Sequence, residues 1–519
     1  MDISQAVVRI KSVVSFVLAN WLGSVRAAGL PIFISSAVIV YLFYCLHAGQ
    51  PMNEDYAVYL QQAWNIGHHV AMNNVGVIYH LDPAEPLSRQ SPLTYPPLLP
   101  LLYAVPVLCV DFDLEFFKYL QFAILALSLL AFCLAASSWS FDKIAVSSSV
   151  ILFGLSSEIA RAVNDLGTDI PFILFLLLAL VGIEKFVNSA NRTRTAWGLV
   201  CGAAIFMAID MRTVGIALVP TVLAADLIVS HWQLKLKMLL PLFTAVVLWL
   251  LQKLLLGDAS GYGFVTNHRF FDVIGNLQQF YWALASPWQS LPYEHAIELF
   301  YVMTFPIAVV GAVREAFRGK AVALFGLFYA AMLLVLPNFD AGARYLIPLL
   351  LLHGAFLVCG IAAIARWARL TPAVSSWAST GLVGILALLL LFQRPPFPPG
   401  PLAFGAETAS AQSTFLFIRT NTPSDAVVAF SKYRTLHLFT QRQTIKPTVE
   451  SLASSVALLD WSRRLNVAYL VVKYSPSVSK FDFSDCPTNP LCANSHSTRA
   501  LAPVFRNADF EIFRVPDLR

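Results

Sequence analysis

Apolar runs close to the length a helix needs to cross a hydrocarbon core, about 20 residues, recur along most of this chain and constrain its fold more than any other feature. They fall at 30–47, 117–137, 144–158, 170–187, 196–210, 214–230, 238–256, 296–313, 320–336, 345–364 and 376–393. Inside lipid each run must satisfy its own backbone, which leaves helix as the local solution. Charged residues make up only 13% of the chain and hydrophobic residues 57%, where a soluble domain carries about 25% charged. The expectation is a polytopic α-helical membrane protein of about eleven transmembrane helices, with juxtamembrane helices on its periplasmic side.

The cations decide which way such a chain would thread. A further run, "PPLLPLLYAVPVLCV" (Pro96 to Val110), is short and holds Pro96, Pro97, Pro100 and Pro106, which argues against a continuous crossing helix. With 96–110 treated as re-entrant or interfacial, the basic clusters "EKFVNSANRTR", "HWQLKLK", "VREAFRGK" and "ARWAR" share one side with Arg9, Lys11 and Arg26. That is the cytoplasmic side by the positive-inside rule. Residues 1–29 read as an interfacial amphipathic segment and 30–394 as the transmembrane module. After the Pro-rich linker "QRPPFPPGPL", residues 395–519 alternate helix and strand patterns and read as a small periplasmic α/β domain. The net charge of +5 is spread over short clusters, with no patch of the kind nucleic acid requires. Five cysteines lie in or beside apolar runs, while Cys486 and Cys492 share a polar loop and are a disulfide candidate if that loop meets an oxidising compartment.

On this threading the acidic residues of interest lie on the outer side. "NEDYAVYL" follows the first run, with Asn53 able to cap a helix whose first turn holds Glu54 and Asp55. Tyr59 falls on the face of Asp55. "SSEIARAVNDLGTDIPF" holds Glu158 and Asp165 and puts Asp169 at the start of the next helix. Spacing alone favours the plainer reading, capped helices with solvated acids. Arg212, in "DMRTVG", stands between two apolar runs beside Asp210, a possible ion-pair partner, and Arg344-Tyr345 opens a late run. Charges at such depth mark a partner or a ligand, and a guanidinium suits phosphate. His268-Arg269 lies in an outer loop.

Five stretches in order, "DYAVYLQQAWNI", "YPPLLPLLY", "GTDIPFILFLLLAL", "MRTVGIALVP" and "ARYLIPLL", resemble the GT-C membrane glycosyltransferases, in the branch of the aminoarabinose and protein-mannose transferases. The C-terminal "IRTNTPSDAVVAF", "LFTQRQ" and "VAYLVVKY" resemble the outer domain of that branch's uncharacterised bacterial relatives. The resemblance implies a transferase that moves a sugar from a polyprenyl-phosphate carrier to a glycan, lipid or protein acceptor outside the cytoplasmic membrane. It implies Asp55 as catalytic base, Asp169 as the second-loop acid, and Arg344 and Tyr345 near the carrier phosphate. Glu54, Tyr59, Arg212, His268 and Arg269 complete the candidate substrate and phosphate set, with Glu158 a secondary acid. One position departs: the named relatives carry Lys or His just before the Pro-Pro pair, and here Tyr95 stands there. The donor-phosphate contact must therefore differ. A divalent metal on Asp55 and Asp169 stays open. The rival reading is a transporter or flippase, which should instead place ionisable groups at mid-membrane in paired broken helices. A polysaccharide polymerase or ligase of another class would centre on a large outer loop.

Overall fold

The computed structural model describes residues 29–52, 55–72, 74–78, 95–136, 138–233, 236–256, 273–278, 294–335, 342–391, 402, 405–447, 451, 455–473 and 503–516. The expectations for residues 1–28, Asn53, Glu54, His268, Arg269, Cys486 and Cys492 fall outside them.

Each expected apolar run is a helix over most of its length. In chain order these are α1 (Gly29–Tyr44), α4 (Leu114–Ala135), α5 (Lys143–Gly154), α7 (Asp169–Asn188), α8 (Asn191–Met211), α9 (Leu218–Val229), α10 (Leu240–Leu256), α11 (Glu294–Phe317), α12 (Ala321–Val335), α13 (Ile347–Trp367) and α14 (Pro372–Leu391). Three shorter helices, α2 (Asp55–Gly67), α3 (Leu98–Val110) and α6 (Ser157–Ala162), fall between them. Among the described residues six helical stretches are long and apolar enough to cross a membrane, and α1, α3, α5 and α12 are shorter apolar helices. The chain is a membrane protein.

Helix α7 is the central post. Its apolar residues face every direction, and 72% of its apolar window is buried against neighbouring helices, with only a narrow stripe through Leu178 left open. It packs on α4, α8 and α9, while α13 packs on α5 and α11. Helices α11 and α13 meet backbone to backbone: a Cβ on Gly360 would sit 1.9 Å from the Ile307 carbonyl oxygen, and one on Gly311 would sit 2.0 Å from that of Phe356. Such small-residue crossings replace the hydrophobic drive that lipid removes. By contrast α10 leaves Phe243, Trp249, Leu250 and Leu254 exposed, a peripheral helix with a lipid-compatible face.

Helix α3 is the Pro-rich segment. Thirteen residues at 1.5 Å each rise about 20 Å, short of a core about 30 Å thick. It remains helical through Pro106. Leu99, Tyr103 and Val107 are buried, Leu101, Leu102, Val105 and Leu108 are exposed, and it lies along α2.

After α14 the chain builds a six-stranded sheet flanked by α15 (Ala409–Asn421), α16 (Tyr433–Thr440) and α17 (Ser455–Arg464). Its strands are β1 (Val77–Ile78), β2 (Val427–Ala429), β3 (Gln443–Ile445), β4 (Val467–Lys473), β5 (Pro503–Arg506) and β6 (Phe510–Arg514), in the order β1-β3-β2-β4-β6-β5. The first four in that order are parallel and the β4-β6-β5 edge is antiparallel. Alternation along the strands sends Ala429, Ile445 and Val472 to the α17 side, with Leu458 and Trp461. Val428, Val471, Phe510 and Ile512 face α15 and α16, with Phe415, Ile418 and Leu436. Helices α15 and α17 and strands β2, β4 and β6 follow the sequence patterns. The edge strand β1 does not come from the C-terminal segment. It is lent by the loop after α2, with Val77 opposite Thr444 and Ile78 opposite Ile445.

Candidate functional site

The polar groups of interest collect where four helix ends meet. Asp55 is the first residue of α2 and Asp169 the first of α7, so both carboxylates sit at the positive ends of helix dipoles. Arg212 follows the last residue of α8, where the backbone turns extended before a 3-10 turn, Thr213–Ala217. A cation there faces the negative end of α8. Arg344 stands in the 3-10 turn Gly342–Leu346 that feeds α13. The breaks at residues 212 and 342–346 are what free these two arginines from lipid-facing positions.

Arg344 is the bridge. Its Nε and Nη2 each lie 2.9 Å from Oδ2 of Asp169, and its Nη1 lies 3.5 Å from Oδ2 of Asp55. Arg212 pairs through Nη1 with the other oxygen of Asp169 and lies 4.7 Å over the ring of Tyr345. The Tyr345 carbonyl in turn accepts from Tyr329 at 2.8 Å. Asp169 is thus clamped on both oxygens, with its side chain 6% exposed. The adjacent Asp210, which the sequence offered as a partner for Arg212, accepts instead from Gln252 Nε2 at 2.8 Å.

The Oδ1 side of Asp55 is held separately. Tyr95 donates to it at 2.6 Å, and Arg434 Nη1 donates to it at 3.3 Å and to the Tyr95 oxygen at 3.0 Å. Tyr59, one turn along α2, packs its ring 5.0 Å from that of Tyr95. Burial first, then the Asp55 charge, pushes the Tyr95 phenol well above its ordinary range, so it stays a proton donor. Asp55 keeps 28% of its side-chain surface and Arg344 25%, and these two border the accessible part of the cluster. Three guanidiniums, of Arg212, Arg344 and Arg434, thus converge on Asp55 and Asp169, and guanidiniums at such a site suit an anionic ligand.

Asp165 lies within electrostatic reach of Arg344 and Asp55, and burial pushes its carboxyl up against the pull of Arg344. Gln50 holds its Oδ1 at 3.0 Å. Glu158 pairs with Arg161 at 2.6 Å, a turn away on α6. The buried Lys118 donates to the carbonyls of His47, at 2.9 Å, and Gly49. Among the described residues no three His, Cys, Asp or Glu gather as a metal ion would need. Asp55 and Asp169 are joined by a guanidinium.

The structure therefore brings together Asp55, Asp169, Tyr59, Tyr95, Arg212, Arg344 and Tyr345 of the sequence candidates. It adds Arg434 and Asp165. Arg434 sits on α16, in "SKYRTLHL", and nothing local marks it, because its partner is 379 residues away.

No family model matches the chain, and no curated protein matches it in sequence. Solved structures do match. The crystal structure of ArnT from Cupriavidus metallidurans in the apo state aligns at TM-score 0.55 and 14% identity, over 94% of this chain and 98% of that one. The same protein bound to undecaprenyl phosphate aligns at 0.54 and 14%, over 95% and 99%. The cryo-EM structure of arabinofuranosyltransferase AftD from Mycobacteria aligns at 0.51 and 11%, over 95% of this chain, which spans 40% of that one. At these identities the likeness is one of fold, and this chain shares the fold of ArnT over nearly the full length of both chains.

Proposed function

We propose that this protein is a glycosyltransferase that moves a sugar from a polyprenyl-phosphate carrier to an acceptor hydroxyl at the outer face of the bacterial inner membrane. The observation that carries the reading is the cluster itself: a quarter-exposed carboxylate, Asp55, beside a guanidinium that reaches a second, clamped carboxylate. It is supported by the solved structure of ArnT with undecaprenyl phosphate, which shares the fold over nearly the full length of both chains.

The chemistry is an inverting displacement. The acceptor oxygen attacks the anomeric carbon, its proton passes to Asp55 Oδ2, and the bond from that carbon to the carrier phosphate breaks with its electron pair on the phosphate oxygen. The departing phosphate gains charge as the bond breaks, and Arg344, backed by Arg212, meets it with donors already in place. Asp169 holds both arginines and so fixes the direction in which they point. Helix α3, with its apolar face exposed beside α2, borders a path by which an isoprenoid tail stays in the bilayer while its head group reaches Asp55. In this reading residues 30–394 form the catalytic module and 395–519 an α/β domain over its outer mouth. The notable charges cluster at one end of the bundle, which favours surface catalysis over transport through mid-membrane sites.

The test is Asp55→Asn in purified protein, read as release of undecaprenyl phosphate from carrier-linked sugars extracted from the host. The expected loss is about 10²–10⁴-fold, the range of a general base. Retained release would remove the base assignment, and a wild type without any release would turn the reading toward a transporter or flippase.

A further inference from the structure

Helix α16 lies against α2 along one face. Arg434 and His437 on α16 and Gln441, the left-handed residue that ends it, face α2 and the loop after it: Arg434 reaches Asp55 and Tyr95, the His437 ring lies against Gly76, and Gln441 Nε2 donates to Gln61 Oε1 at 3.1 Å. We infer that Arg434 is a positioning residue for Asp55, so that the C-terminal α/β layer forms part of the active site and is more than a cover. The inference rests on the transferase reading above.

Geometry carries it. Arg434 Nη1 reaches Asp55 Oδ1 and the Tyr95 oxygen together, and its Nε reaches the Tyr433 hydroxyl at 3.2 Å. Its guanidinium also lies 5.7 Å from the Tyr95 ring centre and 5.5 Å from that of Tyr433. Its side chain is 11% exposed, so these contacts are shielded from water and oriented. Two donors on Oδ1 fix the rotation of the carboxylate about its own bond and leave Oδ2 turned to Arg344, on the side where a reacting hydroxyl would enter. The loop after α2 is pinned to the same layer through β1, which fixes the distance between α16 and α2. A base misplaced by about 1 Å loses about 10²-fold in rate, so removal of this brace shows in turnover more than in binding.

Full-length Arg434→Gln, Arg434→Lys and Gln441→Ala proteins in nanodiscs separate the outcomes. Two readouts are needed: the Kd for undecaprenyl phosphate, and its release from carrier-linked sugar. Arg434→Gln is expected to lower turnover about 10- to 100-fold while the Kd stays within about 2-fold, because the carrier phosphate is assigned to Arg344 and Arg212. Arg434→Lys, which keeps the charge but offers one nitrogen in place of the planar fork, recovers part of the loss. Gln441→Ala breaks the Gln441–Gln61 bond just past the end of α16 without touching the guanidinium, and turnover stays within about 3-fold of wild type. The inference is overturned if Arg434→Gln turns over normally, if it weakens carrier binding in step with turnover, or if Gln441→Ala reproduces the loss. A wild type that neither binds nor releases undecaprenyl phosphate fails the transferase reading itself.

Discussion

Removing the charge of Asp169 should damage the protein more than removing that charge together with one of its partners. Asp169 is 6% exposed and holds Arg344 through two nitrogens at 2.9 Å and Arg212 through the opposite oxygen. At an effective dielectric of about 20, one unit pair at that separation is worth about 5–6 kcal/mol before desolvation is counted. Desolvation of three charged groups offsets much of it. What remains when the central anion alone is lost is about 3–5 kcal/mol, because two guanidiniums are then left facing an amide and each other. In Asp169→Asn/Arg212→Gln one cation leaves with the anion, the excess charge falls back, and the loss should shrink to about 1–3 kcal/mol. Urea denaturation of the four proteins of this cycle in a non-ionic detergent, followed by tryptophan fluorescence, reads the coupling without the ionic screening a guanidinium salt would add. A double variant that loses as much as the sum of the two singles would refute the idea that Asp169 acts by balancing charge.

Two further outcomes concern the seam between α16 and the loop after α2. Gly76 has φ of +61°, and a Cβ there would stand 1.8 Å from the His437 ring. Gly76→Ala should therefore cost about 2–4 kcal/mol, with Gly76→Ala/His437→Ala recovering part of it in the same urea assay; an unaltered Gly76→Ala protein would contradict the close packing. The second outcome concerns pH. Burial lowers the pKa of His437 below 6.5, against the opposing Arg442 carbonyl, which its Nδ1 meets at 2.6 Å. Between that lowered value and 6.5 the unfolded chain binds more protons than the folded one, so this contribution to stability is present above 6.5 and fades as pH falls. The loss of stability from about pH 7.5 to 5.5 should be smaller in His437→Gln than in wild type; equal slopes would show that His437 is not the group responsible.

Much of the site was legible because lipid leaves a charged residue few places to be. An acid or an arginine interrupting or ending an apolar run must lie at a helix end or face protein, and Asp55, Asp169, Arg212 and Arg344 all do. The helix boundaries were less legible: the run expected at 144–158 breaks into α5 and the one-turn-and-a-half α6. Of residues 96–110, Leu98–Val110 form the short helix α3, continuous despite Pro106. Pairing was the weakest point. Asp210 is the neighbour of Arg212 in sequence, yet the helix break turns the arginine away from it and toward Asp169. Arg434, β1 and α16 could not be read at all, because each depends on the meeting of segments far apart in the chain, and no local period encodes that meeting. Tyr95 was read as a lost cation position; in the structure a guanidinium from the C-terminal layer stands beside it.

Because β1 closes the parallel edge of the sheet, the C-terminal segment does not own all of its backbone partners. Expressed without the loop at 77–78, β3 would show a bare row of amide and carbonyl groups, the kind of edge that recruits a stranger's strand. During synthesis the order is favourable: the two-residue template is made first and awaits the late-arriving layer. A soluble excised piece should then self-associate, and a short peptide spanning residues 74–78, supplied in trans, should suppress it.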